Sequence, residues 1–519
     1  MTENTINTNT GSSNDVTNDT GTGINATLQV DIAIIGAGPG GYATALRAAQ
    51  LGKSVILIER DETLGGTCLN RGCIPSKALI TASRTMDTIH QAHEVGIDAT
   101  INSVDFGTLL AYKNRMVDTM TSGLAGLLAH RGVTVLRGDA AITDAPGRII
   151  QVTPSEPETQ VRRFVRAGVG EDIGQSVNVQ AANIVLATGS RPKTLPQHDF
   201  SGALIDSTHA LSLIRVPASA VIIGSGAIAV EFASLWNAGG CAVTLLIRKD
   251  RVLSAWNRRT GLTLTRELKR RGINIVTHSA VASVDVGVNL GATVHYTQEG
   301  HDGESTAFGE VAMAAIGREP NTQAAWLAGS HIELTDAGFV HTDELGRTGV
   351  SGIWAAGDIT EGDALANRAF EQGIVIAESI AGLDPKPVND DTVARVVFSS
   401  PEAASVGCTL NQASSRDDLA NVEETVFPMM SNARMLMSGS SGSMSLISGE
   451  HATEPGRRVV LGAHIVAPNA SDLIAEAEQL VGNRVPLSDA ARLIHPHPTF
   501  SETFGEALLK ADGRPLHTR

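Results

Sequence analysis

Two cysteines, Cys68 and Cys73, stand five positions apart in the segment GGTCLNRGCIPSK, Gly65 to Lys77. Four intervening residues permit a local disulfide. Pro75 is expected to start a helix, a position where proline is favoured, so Cys73 lies at a helix N-terminus where the dipole stabilises a thiolate. Lys77 is four residues on from Cys73, which brings its ammonium to the same helical face. Zinc would call for a shorter C-x-x-C spacing and further Cys or His ligands, which are not evident, and the redox reading of the pair is preferred. The other two cysteines, Cys241 and Cys408, stand alone in apolar contexts and read as small buried hydrophobes.

A second chemical centre is visible near the C-terminus, at LIHPHPTFSETFGEALLK. His497 and Glu502 are candidates for a general base and the carboxylate that orients it. Thr499 with Glu502 also spells a capping box ahead of an apolar helix, and His495 could equally be the base. Spacing alone does not decide between them.

These groups need something to exchange electrons with, and two nucleotide-binding patterns supply it. VDIAIIGAGPGGYATALRAAQLGKSVILIER begins with an apolar run read as a buried parallel strand. Gly36, Gly38 and Gly41 then form G-x-G-x-x-G ahead of an Ala-rich helix, and a second strand ends on Glu59. The glycines let the backbone approach a pyrophosphate at the helix N-terminus, and Glu59 can accept hydrogen bonds from ribose hydroxyls. AVIIGSGAIAVEFASLWNAGGCAVTLLIRK repeats the pattern with Gly224, Gly226 and, in third position, Ala229. There the place of Glu59 is taken by Ile247, followed by Arg248 and Lys249, so this site lacks the ribose carboxylate. Two dinucleotides in one chain imply electron or hydride traffic between them. A third fragment, SGIWAAGDI, reads as a short strand ending in Gly357 and Asp358. By itself this is also an ordinary turn, but it resembles the segment of flavoproteins that returns to the FAD domain and would offer Asp358 there. Gly189 and Gly317 are further glycine candidates for the first and second sites.

Composition sets the outer bounds. A chain of 519 residues is too long for one core, and 42% hydrophobic with 18% charged residues is ordinary for a globular protein. The net charge of -15 without a basic run argues against nucleic acid, and no apolar stretch is long enough for a membrane span. The segment up to about Thr27, rich in Thr, Asn, Ser and Gly and without Lys or Arg, is expected to be a disordered tail. Few cysteines in a long chain point to the cytoplasm.

Together these residues resemble the pyridine nucleotide-disulfide oxidoreductase family in its dihydrolipoamide dehydrogenase form. GGTCLNRGCIPSK matches that form of the redox motif, HPTFSE its C-terminal signature, and AIGREPNT and AAGDI fit the same pattern. The resemblance runs from about Val30 to the end, interrupted by an insertion between about Pro154 and Gln175. It implies an α/β fold of two Rossmann-like dinucleotide-binding domains, for FAD and NAD, plus an α+β C-terminal dimerisation domain. The implied division is a tail at 1–28, an FAD domain with the redox cysteines at 29–196, an NAD(P) domain at 197–318, a central segment at 319–392 and an interface domain at 393–519. Cys68 would be the interchange thiol and Cys73 the charge-transfer thiol, with Lys77 paired to Glu231 near the flavin. The resemblance singles out His497 over His495 as the base, held by Glu502 and supplied by the other subunit of a homodimer. It also implies oxidation of dihydrolipoamide with NAD+ as acceptor, and as partner the lipoyl domain of a 2-oxo acid dehydrogenase or glycine cleavage complex. The departure at Ile247 and Arg248 leaves NADP as a possible acceptor. The rival readings are an NADPH-dependent reductase of a small disulfide and a scaffold subunit of a dehydrogenase complex.

Overall fold

The structure, a computed structural model, describes residues 27–156, 159–166, 169–287 and 291–518. The tail expected over 1–28 lies, up to residue 26, outside the described residues. The chain forms two compact units, each assembled from three separate stretches: Met1–Gly66, Met120–Gly189 and Pro320–Val388 in the first, and Thr67–Thr119, Ser190–Glu319 and Asn389–Arg519 in the second.

The first unit is built on a nine-stranded sheet. Its centre is parallel: Thr27–Ile35 lies between Val55–Glu59 and Val177–Leu186, flanked by Thr134–Arg137 on one side and Ile353–Ala355 on the other. The apolar run explains the position of the first strand, since Ile32, Ala33 and Ile34 are wholly inaccessible and a strand covered on both faces has no use for polar alternation. The helix Pro39–Gln50 follows at once, with proline in its first turn and Gly38 as N-cap. The chain order reverses at the first strand, so the G-x-G-x-x-G loop sits at the carboxyl edge of the sheet at its switch point, where doubly wound sheets bind ligands. The fragment SGIWAAGDI does return to this sheet, through the pairing of Ile353–Ala355 with Val177–Leu186. The described part of the Pro154–Gln175 insertion is a hairpin, Val161–Arg166 and Val169–Gly174, that extends the sheet antiparallel beyond Thr134–Arg137.

The second unit contains the second dinucleotide pattern in a five-stranded parallel sheet, ordered Leu204–Ile205, Val311–Ala314, Ser219–Ile223, Ala242–Leu246, Asn274–Val276. A three-stranded antiparallel sheet, Ser279–Gly287, Gly291–Gln298 and Glu304–Gly309, accompanies it. The C-terminal stretch forms a five-stranded antiparallel sheet, ordered Arg395–Val397, Glu402–Gly407, Arg458–Ala467, Ser443–His451, Leu419–Pro428. Its core also takes in the helices Ala470–Gly482 and Glu502–Ala511, through residues such as Ile474, Phe504 and Leu508. Two dinucleotide folds with parallel central strands and an α+β C-terminal part are the architecture the family resemblance implied.

Candidate active site

Cys68 lies on the short helix Gly66–Arg71, and Cys73 is the first residue of the helix Cys73–Gln91. The helix therefore begins two residues before Pro75, which corrects the expected start. Gly72 is its N-cap, and the Ser76 N–H already donates to the Gly72 carbonyl at 3.0 Å. Proline is tolerated at the third position because first-turn N–H groups have no acceptor within the helix. Both cysteines are free thiols and half-buried. The hydrogen bond from the Cys68 thiol lowers the Cys73 pKa to about 7, with help from the Lys77 ammonium, against the opposing effects of burial and Glu231. Cys68 moves the other way, raised by its hydrogen bond to Cys73, by burial and by the negative charge beside it. Of the two, Cys73 is thus the one that ionises first, and Cys68 the one that keeps its proton.

The helix that carries Cys73 is tied down along one face. Lys77 Nζ bonds both oxygens of Glu231, at 3.1 and 3.0 Å. Glu231 sits buried on the helix Ala227–Ala238 and also accepts the Phe398 N–H at 3.0 Å, while the Lys77 ammonium stands 4.6 Å from the Phe398 ring centroid. Two turns on, Arg84 pairs with buried Glu402, whose second oxygen accepts the Ser471 N–H at 2.8 Å. Beyond it Asp87 meets Arg271 at 2.5 Å. Sequence reasoning named Lys77 and Glu231 and missed Phe398, Glu402 and Arg271. Positions 77, 84 and 87 share a helical face, but their partners are too distant in the chain to leave a local signal.

At the C-terminus the two histidines separate cleanly. His495 is anchored: its Nε2 bonds Glu476 at 2.9 Å, and its ring lies where a Cβ on Gly505 would approach Nδ1 to 2.4 Å. The Glu476 hydrogen bond raises its pKa. His497, by contrast, has a side chain 79% exposed, with Nδ1 held by Glu502 Oε1 at 2.6 Å. The other Glu502 oxygen accepts the Thr499 N–H at 2.8 Å. Burial pushes the Glu502 carboxyl up, but the Thr499 N–H and the His497 ring outweigh it and leave it below the usual carboxylate range. Only half of a capping box forms, because the Thr499 hydroxyl donates to the Pro496 carbonyl at 2.7 Å. Glu502 thus opens its helix, ties back the preceding turn and orients His497.

The glycines of the two nucleotide motifs divide by cause. Gly36 has φ +101° and a Cβ there would lie 2.4 Å from the Ala187 carbonyl oxygen; Gly224 has φ +133° and the same conflict, at 2.2 Å, with the Ala315 oxygen. A Cβ on Gly41 would come within 1.8 Å of the Gly36 oxygen, whereas the second motif accepts fully buried Ala229 at this place. Packing does not demand the middle glycines. Gly38 would meet only the Gly66 Cα, at 4.0 Å, and Gly226 meets nothing within 4 Å. The room left there, at the N-termini of the helices Pro39–Gln50 and Ala227–Ala238, is what a pyrophosphate requires. Gly189 and Gly317 likewise face open space. Gly226→Val should therefore leave thermal stability nearly unchanged and raise the KM for the nicotinamide nucleotide on the order of tenfold or more. Thermal melts and initial rates check this.

The strand ends beside these loops differ as their sequences do. Glu59 closes Val55–Glu59, buried, with its carboxylate accepting the N–H groups of Ala37 and Arg60 at 2.8 Å and Asp61 at 3.0 Å. Burial raises its pKa despite these bonds. The register Ile223↔Leu246 puts Ile247 beside Gly224 as Glu59 is beside Gly36. Ile247 is 1% exposed and belongs to the hydrophobic core, and Arg248 and Lys249 are exposed. Asp358 is half-buried in the 3-10 turn Gly357–Ile359, at the end of the returning strand. These residues fit a dinucleotide at each loop.

Comparison with known proteins agrees. Residues 30–373 match the pyridine nucleotide-disulphide oxidoreductase family and residues 393–508 match its dimerisation domain. The chain belongs to this family, whose enzymes use FAD and a nicotinamide nucleotide, and its C-terminal stretch is the part that pairs two chains into a homodimer. It is 37% identical to a dihydrolipoyl dehydrogenase of Geobacillus stearothermophilus, with 94% of this chain and 98% of the relative covered. A dihydrolipoyl dehydrogenase of Bacillus subtilis is 36% identical, covered to 94% and 98%. Among solved structures, LpdA from Mycobacterium tuberculosis superposes with a TM-score of 0.79 at 26% identity, over 93% of this chain and 100% of that one. The HOCl-induced flavoprotein disulfide reductase RclA from Escherichia coli shares the fold, with a TM-score of 0.75 at 23% identity, over 92% and 99%. No described helix is long and apolar enough to cross a membrane.

Proposed function

We propose that this chain is a dihydrolipoyl dehydrogenase, oxidising dihydrolipoamide to lipoamide with NAD+ as the final acceptor. The observation that carries this reading is the asymmetric thiol pair: Cys73 poised as a thiolate at a helix start, Cys68 holding the proton, and Lys77 paired to Glu231 behind them. FAD, when bound, supplies the two-electron carrier between the thiols and the nicotinamide. We place it at Gly36, Gly38, Gly41, Glu59, Lys77, Gly189 and Asp358, and NAD at Gly224, Gly226, Ile247, Arg248 and Gly317.

His497 of the partner subunit, steered by its Glu502, takes the proton from one substrate thiol. The resulting thiolate attacks Cys68 of the oxidised pair. The S–S bond to Cys73 breaks and a mixed disulfide forms at Cys68. Attack on Cys68 is favoured because it expels Cys73, and the thiol of lower pKa leaves faster. The second substrate thiol then displaces Cys68, which leaves lipoamide with its disulfide closed and the enzyme with two reduced cysteines. Loss of two electrons from that pair restores the Cys68–Cys73 disulfide, and the overall change is dihydrolipoamide plus NAD+ to lipoamide plus NADH and a proton.

The fivefold division at residues 28, 196, 318 and 392 is retained as the domain reading. The natural substrate would be a lipoyl domain of a 2-oxo acid dehydrogenase or glycine cleavage complex, and the compartment the cytoplasm; the name dihydrolipoyl dehydrogenase carried by the relatives supports the dihydrolipoyl group as the substrate. Specificity constants for dihydrolipoamide with NAD+, set against glutathione disulfide with NADPH, test the assignment. A clear preference for the second pair would overturn it.

The nucleotide preference turns on one strand end. An acid there binds the adenosine ribose and repels a 2′-phosphate, and Ile247 does neither. Ile247→Glu should raise the ratio of specificity constants for NAD over NADP on the order of tenfold, provided the new carboxylate finds backbone N–H groups as Glu59 does. Wild-type enzyme that already excludes NADP, together with an unchanged ratio in the variant, would remove Ile247 as the determinant.

A further inference from the structure

The exposed His497 ring needs a backbone that stays still, and residues 495–501 form no helix or strand. One end of the segment is fixed by His495 on Glu476, and Glu502 holds the Thr499 N–H. The Thr499 carbonyl is held from elsewhere in the C-terminal domain: the Asn432 side-chain amide donates to it at 2.9 Å. The same amide's oxygen accepts the Met435 N–H at 3.0 Å and caps the short helix Ala433–Met437. Both ends of the Asn432 side chain are thus used in one orientation, and the residue is buried. Next to it, Arg434 places its guanidinium 5.3 Å from the centroid of the Phe500 ring. The short helix is itself rooted, since Met429 and Met435 on either side of Asn432 are wholly inaccessible members of the C-terminal core.

We propose that Asn432 is a positioning residue for the thiol-oxidation half-reaction: it locks Thr499 to the C-terminal core and so holds His497 and Glu502 in register for proton abstraction. The inference rests on the proposed role of His497. Thr499 is two residues from His497 and shares Glu502 with it, so a shift of the Thr499 peptide displaces the base and its orienting carboxylate together. Positioning side chains of this kind matter because reacting groups must be held within a fraction of an ångström.

Two variants separate the tether from the cap. Asn432→Asp keeps an oxygen for the Met435 N–H but turns a second acceptor toward the Thr499 carbonyl. Asn432→Ser keeps a capping hydroxyl and is too short to reach. Each should lower kcat for dihydrolipoamide by about five- to tenfold, the worth of one well-placed hydrogen bond, with the KM for NAD+ unchanged. Electron transfer from NADH to ferricyanide bypasses the thiols and should be unaffected. In a His497→Gln background neither variant should cost anything further, because the group it positions is gone. Wild-type kcat in both variants would overturn the proposal, as would a parallel loss of the ferricyanide rate or an undiminished loss in the His497→Gln background. A His497→Gln enzyme with full turnover would instead overturn the base assignment beneath it.

Discussion

Cys73→Ser will bring dihydrolipoamide turnover down to background and abolish the long-wavelength thiolate-to-flavin absorbance of the reduced enzyme. Cys68→Ser will also stop turnover, since no mixed disulfide can form, but will keep that absorbance. The difference follows from where the charge sits. Cys73 is the thiolate of the pair, with its pKa lowered to about 7, and Cys68 donates the hydrogen bond that does most of the lowering. In the reduced wild type the absorbance should therefore grow as pH rises through about 7 and fade below it, because the thiolate exists only above its pKa. A serine hydroxyl at position 68 is a further donor, so the band survives with its midpoint displaced. An anaerobic pH titration of the reduced protein and its two variants measures all of this. Full dihydrolipoamide activity in both variants would refute the assignment.

His497→Gln is expected to lose about 10²–10⁴-fold in turnover with dihydrolipoamide, the usual contribution of a positioned general base, while retaining FAD and the ferricyanide reaction. A sharper result comes from mixing. If each site takes its cysteines from one chain and His497 from the other, a heterodimer of His497→Gln and Cys68→Ser chains has one intact site and one doubly damaged one. Random reassortment in a two-fold dimer then restores roughly a quarter of wild-type activity from two nearly inactive parents. If the cysteines and the base act within one chain, reassortment restores nothing. Activity measured after co-refolding, against each parent alone, decides between the arrangements.

The sequence was most legible where chemistry is local. The Cys68–Cys73 spacing, both glycine loops and the replacement of an acid by Ile247 are short-range patterns, and the folded chain keeps each together. The C-terminal signature was only partly legible. His495 and His497 stand in the same HPHP context, and what tells them apart is a carboxylate at Glu476 and the missing Cβ of Gly505, neither of which spacing reveals. Thr499 and Glu502 spelled a capping box and an orienting pair at once, and the structure makes half of one and all of the other. The helix start was misplaced because proline at the third position leaves the same trace as proline at the first. Asn432 was invisible: a cap residue before a five-residue helix gives no hint that its other atom reaches position 499.

The ties along the Cys73 helix also bear on the order in which the protein is made. Lys77, Asp87 and Arg84 wait for partners that follow them by 154, 184 and 318 residues. A ribosome adding roughly 5–20 residues each second therefore releases the cysteine segment many seconds before Glu402 exists to receive Arg84. During that interval Lys77 has no Glu231 carboxylate to hold it and the face of the Cys73 helix has neither the Arg271 nor the Glu402 tie, so the final seating of that helix waits for later segments of the chain.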